Sequence, residues 1–438
     1  MNRIFYILLF LFCSCAINAQ ELYDLRKCIE IGLLRNYDIR IIRNEQQIAN
    51  NDVTRANAGY LPTVDISSSY SGTLNDVKQR LAAGGTNNNN NVHNQTLNTG
   101  INANWTVFDG FQIQTNYEKL KELQSRGEIN TRLTIEGFIA DLSTEYYNYI
   151  QQTIRLKNLK YAVKLSKERL RIVEARYQIG SSSRLDYQQA RVDFNADSSK
   201  LIKQYEVLYT SRIKLNELMA VDNVEQNIIT MDSVITFNPF LNKNDIWEKA
   251  NVSNSYLQLS QSSKRLSELE LKNIKSQNYP YLRLNAGYGI TKNLYETGTY
   301  DWQRNMGFNY GVTVGFNIFN GNRKRQIRNA KLEIENRQLG YEQVELSLKT
   351  DLANMWMAYR NNMELLNLEK ENVETARSNY EIAIDRYKLG DLAGIELREA
   401  QNSLLEAEER LVQAEYNTKL CEISLIQLSG DMINYTNQ

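Results

Sequence analysis

Glu396 and Glu399 stand three residues apart in a proline-free stretch, so on a helix they share one face. Such a pair could trade protons as acid and base, could gather cations, or could be an ordinary solvated face. Nothing around it resembles a substrate pocket. The only histidine, His93, follows a run of asparagines in a polar segment far from any rigid scaffold. No cysteine or histidine cluster has metal-ligand spacing, and neither a phosphate loop nor a nucleophile elbow occurs. The residues with chemistry therefore point away from an enzyme and imply no cofactor and no metal.

The two glutamates follow Gly390, and the matching positions after Gly180 hold Asp186 and Gln189, which keep a single charge. That match belongs to a duplication running through the chain. Arg176-Tyr177-Gln178-Ile179-Gly180 is echoed by Arg386-Tyr387-Lys388-Leu389-Gly390, and Phe108-Asp109-Gly110 by Phe319-Asn320-Gly321. Asn36 precedes Pro62 by the same interval as Asn254 precedes Pro280. Landmarks recurring in order imply two similar structural units in one chain.

The elements between the landmarks have two periods. The ~70 residues from Gly110 to Gly180, and again from Gly321 to Gly390, contain no proline and are dense in Leu, Glu, Lys, Gln and Arg. As one helix each would reach ~105 Å at about 1.5 Å per residue, too long for a compact domain. Leu156, Leu159, Val163, Leu170, Val173 and Tyr177, with Ser166 in the gap, predict a coiled-coil seam. A second helix returns in each half, about Leu185 to Met219 and Ile395 to Ser429. Segments after the prolines and before the Phe-x-Gly marks alternate instead. Phe308, Tyr310, Val312, Val314, Phe316 and Ile318 are separated by Asn, Gly and Thr, as Ile101, Ala103, Trp105 and Val107 are by Asn and Thr. Four strands of about ten residues are predicted, the length a tilted membrane strand needs. A one-sided soluble sheet would alternate too; the Asn, Thr, Ser and Gly face suits a wet lumen. Gly84 to Asn91 reads as a flexible polar loop, and Tyr295, Tyr300 and Trp302 as candidates for a headgroup boundary.

At the N-terminus, a weakly basic start, an apolar run from Ile4 to Phe12 and Ile17-Asn18-Ala19 predict a signal peptide over 1–19. Phe12-Cys13-Ser14-Cys15 offers a lipoprotein processing site led by a poor residue. Beyond the leader only Cys28 and Cys421 remain; the pair could form a disulfide in an oxidising compartment, and two unpaired core thiols are the preferred reading. The chain is charge-neutral, with 51 basic and 51 acidic residues, which gives no reason for a nucleic-acid partner.

In this order, twice, the landmarks resemble the TolC-type outer-membrane efflux family. The resemblance spans the mature chain: Tyr60-Leu61-Pro62 and Asn278-Tyr279-Pro280 enter the strands, the Phe-(Asp/Asn)-Gly marks leave them, and the Arg-Tyr-x-x-Gly turns end the helices. It implies an α+β membrane protein: four strands per protomer completing an oligomeric β-barrel, and long coiled-coil helices forming a periplasmic α-barrel. The implied assembly is a homotrimer in outer-membrane lipid, joined through a periplasmic adaptor (membrane fusion) protein to an inner-membrane pump of RND or ABC type. The function it implies is a passive exit duct of a tripartite efflux or type I secretion system.

Residue by residue, the resemblance makes Arg176, Tyr177, Gly180, Arg386, Tyr387 and Gly390 the adaptor-docking tips. Asp186, Gln189, Glu396 and Glu399 become the periplasmic constriction. Pro62, Gly110, Pro280 and Gly321 mark barrel entry and exit. Similar proteins carry an arginine two residues past the second tip glycine; Leu392 stands here, so that gate link does not carry over. The expected division is a first repeat over 20–219 (strand pair 62–109, hairpin 110–219), an inter-repeat segment over 220–253, and a second repeat over 254–438 (strand pair 280–319, hairpin 322–429). Residues 21–36 and 221–254 read as mixed structure belting a helical tube. A secreted or surface coiled-coil spacer is the rival reading, and it leaves the four alternating segments unexplained.

Overall fold

The computed structural model describes residues 22–82 and 84–435; the expected leader and the Cys13-Ser14-Cys15 site lie outside them. In chain order the elements are β1 (Leu22–Tyr23), α1 (Leu25–Arg35), α2 (Tyr37–Asp52), α3 (Arg55–Ala58), β2 (Thr63–Arg80), β3 (Thr86–Asp109), α4 (Gln112–Gln178) and α5 (Arg184–Leu218). Then follow β4 (Ile229–Thr230), α6 (Lys243–Ser253), α7 (Ser255–Ser276), β5 (Tyr281–Leu294), β6 (Trp302–Gly315), α8 (Gly321–Leu389), α9 (Gly394–Ser429) and α10 (Met432–Tyr435). The chain divides into two units, one from 1–44, 129–258 and 343–438, the other from 45–128 and 259–342. Among the described residues no helix is long and apolar enough to cross a membrane.

The second unit carries an antiparallel sheet in the order β2-β3-β5-β6. Its strands have 18, 24, 14 and 14 residues rather than about ten. The asparagine run is not a loose loop. Asn87, Asn88 and Asn89 pair with Gln79, Lys78 and Val77, and the β2–β3 ribbon continues past the point where β5 ends. A bulge at Asp76 is closed by its carboxylate, which accepts from the Asn91 N–H at 2.8 Å. Pairing with β2 gives alternate amides of the run backbone partners, and that outweighs the poor strand propensity of asparagine.

Register separates the sheet into two faces. Rungs such as Ile66–Ile101–Tyr288–Phe308 and Val64–Ala103–Ala286–Tyr310 form an apolar face. The alternate rungs, such as Asp65–Asn102–Gly287–Asn309, carry amides, hydroxyls and glycines. Asn102 and Asn309 lie over Gly287 so closely that any side chain there would collide with both. Pro62 and Pro280 stand immediately before β2 and β5, where no ladder N–H is lost. The Phe-x-Gly marks are helix starts: Asp109 accepts from the Ile113 N–H at 3.1 Å, and Asn320 from the Asn322 N–H at 3.1 Å. Their glycines differ, since Gly110 has φ +71° whereas Gly321 opens α8 with ordinary helical geometry. β6 stops at Gly315, so Phe316 to Phe319 lie outside the strand.

In the first unit the recurring asparagines are clips. Asn36 Oδ1 accepts from the backbone of Asp38 and Ile39 to start α2, while its amide donates to the Leu218 carbonyl at 3.1 Å. Asn254 starts α7 in the same way and donates to the Leu428 carbonyl at 3.0 Å. Residues 22–23 and 229–230 pair as a short parallel ribbon. Below it Ile29, Ile39, Leu142, Tyr146, Ile150, Leu215 and Met219 are fully buried. Cys28 and Cys421 are free and buried. Burial pushes the Cys28 thiol up to about 12, so it behaves as a small apolar side chain.

The predicted seam on α4 is only partly apolar. Leu156 and Val173 are buried, yet Ser166 and Arg169 are buried between them and Tyr177 is 41% exposed. Sequence periodicity treated Ser166 as a gap, whereas it occupies the centre of a polar cluster.

Candidate functional site

Each long helix ends in the same backbone device. The Gly180 N–H donates to the Tyr177 carbonyl at 3.0 Å and the Ser181 N–H to the Arg176 carbonyl at 2.8 Å. Gly390 and Asp391 repeat this with Tyr387 and Arg386 at 3.1 and 3.0 Å. The glycines have φ +80° and +89°, left-handed values that a side chain would strain.

The side chains of the two turns diverge. Arg176 crosses to the other hairpin, its guanidinium 4.8 Å from the centroid of the Tyr387 ring and donating to the Tyr387 carbonyl at 2.9 Å. Arg386 stays local, paired with Asp391 at 3.2 Å. Tyr387 is buried among Val173, Tyr380, Leu397 and Leu404, and burial raises its phenol above the ordinary value against the pull of Arg176. Tyr177 instead stacks on Tyr187 in the open, centroids 5.5 Å apart.

The return helices begin with carboxylates at the same place. Asp186 accepts from the Ser183 hydroxyl at 2.7 Å and backbone at 3.2 Å, while Ser183 Oγ accepts from the Asp186 N–H at 3.1 Å. These bonds from Ser183 hold the Asp186 carboxyl below its usual range. Glu396 accepts from the Ala393 N–H at 3.1 Å, and Ala393 has no acceptor to return the bond. Glu399 and Gln189 lie one turn on, exposed, with Gln189 donating to Asp193 at 3.0 Å. Leu392 packs against the tip core.

Comparison with known proteins fits this arrangement. The sequence profile of the outer membrane efflux protein family matches residues 29–221 and 249–431. The chain belongs to that family. It is 18% identical over 443 residues to the outer membrane protein TolC of Escherichia coli strain K12, covering 99% of this chain and 87% of that one. The outer membrane efflux protein BepC of Brucella suis biovar 1 is 20% identical over 353 residues, 77% and 73% of the two chains. The crystal structure of the Campylobacter jejuni CmeC outer membrane channel superposes with a TM-score of 0.78 at 16% identity, covering 93% of this chain and 85% of that chain. This efflux protein is thus an outer-membrane α+β channel-family member with a helical periplasmic part.

Two groups of residues in this efflux protein escaped the sequence reading. Arg398 of α9 makes a bidentate pair with Asp197 of α5, at 2.6 and 2.9 Å. Arg169 of α4 pairs with Asp193, Ser166 donates to Asp197, and Gln401 donates to Ser166 at 3.2 Å. Burial alone would raise Asp197, but bonds from Arg398 and Ser166 outweigh it and hold the carboxyl low. The second group is apolar and exposed. Ile179 and Leu185 flank the first turn, 79% and 76% exposed, and Leu389 and Ile395 flank the second, 85% and 78% exposed. Their matched offsets from Gly180 and Gly390 were the available signal.

Proposed function

We propose that three copies close one barrel of twelve strands and act as a passive exit duct, fed through a periplasmic adaptor by an inner-membrane pump of RND or ABC type. The observation carrying this reading is the four-stranded sheet, with an exposed apolar face, an amide and hydroxyl face, and two open edges, β2 and β6. Unpaired strand edges are not tolerated in lipid, and the smallest membrane barrels need about eight strands. One copy therefore cannot close a wall, and pairing β6 of one with β2 of the next satisfies both edges. The polar rungs would then face water. Along those rungs Asp65 and Arg283 offset each other among asparagines, threonines, serines and glycines.

The tips are the adaptor surface in this reading. Ile179, Leu185, Leu389 and Ile395 give each hairpin an apolar pair beside its glycine turn, suited to the apolar stripe of a partner helix. Arg176 and Tyr387 fix the hairpins to one another while Tyr177 remains outside. Glu396 and Glu399, with Asp186 and Gln189, line the constriction, where threefold repetition concentrates carboxylates and favours cations.

The mass of the purified channel tests the core of this. Light scattering of detergent-extracted protein is expected to give three copies; a monomer at all concentrations overturns the shared barrel. Replacing Glu396 and Glu399 together by alanine is expected to change cation preference in planar bilayers, and unchanged selectivity removes the acidic constriction. A cysteine at Asn89 should react with an impermeant thiol reagent on intact cells. A protected, soluble pool would favour a coiled-coil spacer instead.

A further inference from the structure

Near its hairpin-turn end, one rung before Leu294–Trp302, the apolar face of the sheet is interrupted by two cations. From the end where the strands join helices, β5 presents Leu282, Leu284, Ala286, Tyr288 and Ile290 on this face, opposite Val314, Val312, Tyr310, Phe308 and Met306. The next rung is Tyr70–Leu97–Lys292–Arg304. Lys292 and Arg304 thus stand directly opposite each other, and both are exposed. Like charges so placed destabilise a sheet. Among the described residues neither is engaged by an ion pair or a hydrogen bond from its side chain. The repulsion therefore has no internal compensation.

Depth explains the position. From Leu282 to Lys292 the strand advances ~33 Å at about 3.3 Å per residue. At a tilt of about 40° that is ~25 Å along the membrane normal, the height of a membrane barrel's apolar band. Trp302, on the rung just beyond, and Tyr70, on the cationic rung itself, supply the amphipathic rings that settle at a headgroup level. The cations sit where the hydrocarbon stops, on the hairpin-turn side of the sheet.

We propose that Lys292 and Arg304 form a binding site for the phosphate of a membrane lipid headgroup. The ammonium supplies a mobile point charge and the guanidinium a planar fork, a combination matched to a phosphate with two or more free oxygens. An anion between them turns the cross-strand repulsion into attraction on both sides. The inference rests on the reading of this sheet face as lipid-exposed.

Tryptophan quenching by brominated lipids tests both levels separately. Trp105 and Trp302 lie on this face, whereas Trp247 and Trp356 are in helices and give a background. The assembled channel is reconstituted in mixtures of phosphatidylcholine and phosphatidate, with one or the other brominated, to obtain a relative binding constant. About five-fold preference for phosphatidate per cation, up to ~25-fold in all, follows from the usual attraction of one basic side chain to an anionic lipid surface. The Lys292→Gln/Arg304→Gln double variant is expected to bring the ratio near one, and Lys292→Arg to keep it, with wild-type conductance in both. Equal binding of the two lipids by the wild type, or a ratio insensitive to the double variant, overturns the site. Loss of the preference in millimolar inorganic phosphate would overturn the lipid assignment in favour of the free anion. Absence of quenching by either brominated lipid would refute the lipid-facing reading itself.

Discussion

The two hairpin tips share a backbone and differ in almost every side-chain task. Both turns place glycine in the left-handed region and close with the same pair of hydrogen bonds. Yet Arg176 reaches the opposite hairpin while Arg386 serves its own turn, and Tyr387 is core where Tyr177 is surface. Duplication has preserved the groups that the chain's geometry requires and released the rest. The asymmetry lets one hairpin grip the other, which two identical surfaces could do only through a self-complementary patch.

The sharpest way to break the comparison is at Arg398, whose matched position after the first tip glycine holds the uncharged Gln188. Arg398→Gln leaves Asp197 buried without its partner, and local opening of the tip, measured by amide exchange, should become easier by about 3–5 kcal/mol. Arg386→Gln removes an exposed pair and should cost under about 1 kcal/mol. The tyrosines give the next contrast. Tyr387→Ala should cost about 3 kcal/mol through lost packing, whereas Tyr177→Ala should stay within about 1 kcal/mol in the same assay. Equal effects would mean that the tips are equivalent after all.

The caps allow a sharpening in both directions. Ser183→Ala should weaken the start of α5 by about 1 kcal/mol, while Ala393→Ser should strengthen α9 by a similar or smaller amount. Acid titration gives the smallest and most diagnostic effect. Asp197 and Asp186 are held below their unfolded values, so their stabilisation is complete above about pH 4 and is lost as pH falls through the folded values. Protection at the first tip, measured against intrinsic exchange, should therefore fall on acidification below about pH 4, and in Arg398→Gln the Asp197 share of that fall should vanish.

What could be read from the sequence follows the range of the interaction. Gly180, Gly390, Asp109, Asn320, Asn36 and Asn254 serve turns and caps within a few residues of themselves, so type and spacing were enough to find them. The alternation of β6 and of the second half of β3 was legible for the same reason. Asp197 and Arg398 are 201 positions apart, and no local pattern links them. Ser166 was taken as a gap because helical period says which face a residue occupies, not which charge arrives from another helix. The asparagine run misled because composition describes an isolated segment, whereas a ladder depends on the strand lying beside it.

The asparagine clips carry an architectural consequence. Asn36 grips Leu218 and Asn254 grips Leu428, so each latches the two ends of its own half of the chain. Contacts of residues 22–23 with 229–230, and of Glu422 with the Asn238 backbone, tie the first and the second half to the stretch that connects them. A break in the connecting stretch would leave each latch shut and cut only the covalent thread. The chain is built as two closed staves strapped together, and the strap, not the stave, is where a single polypeptide differs from a pair.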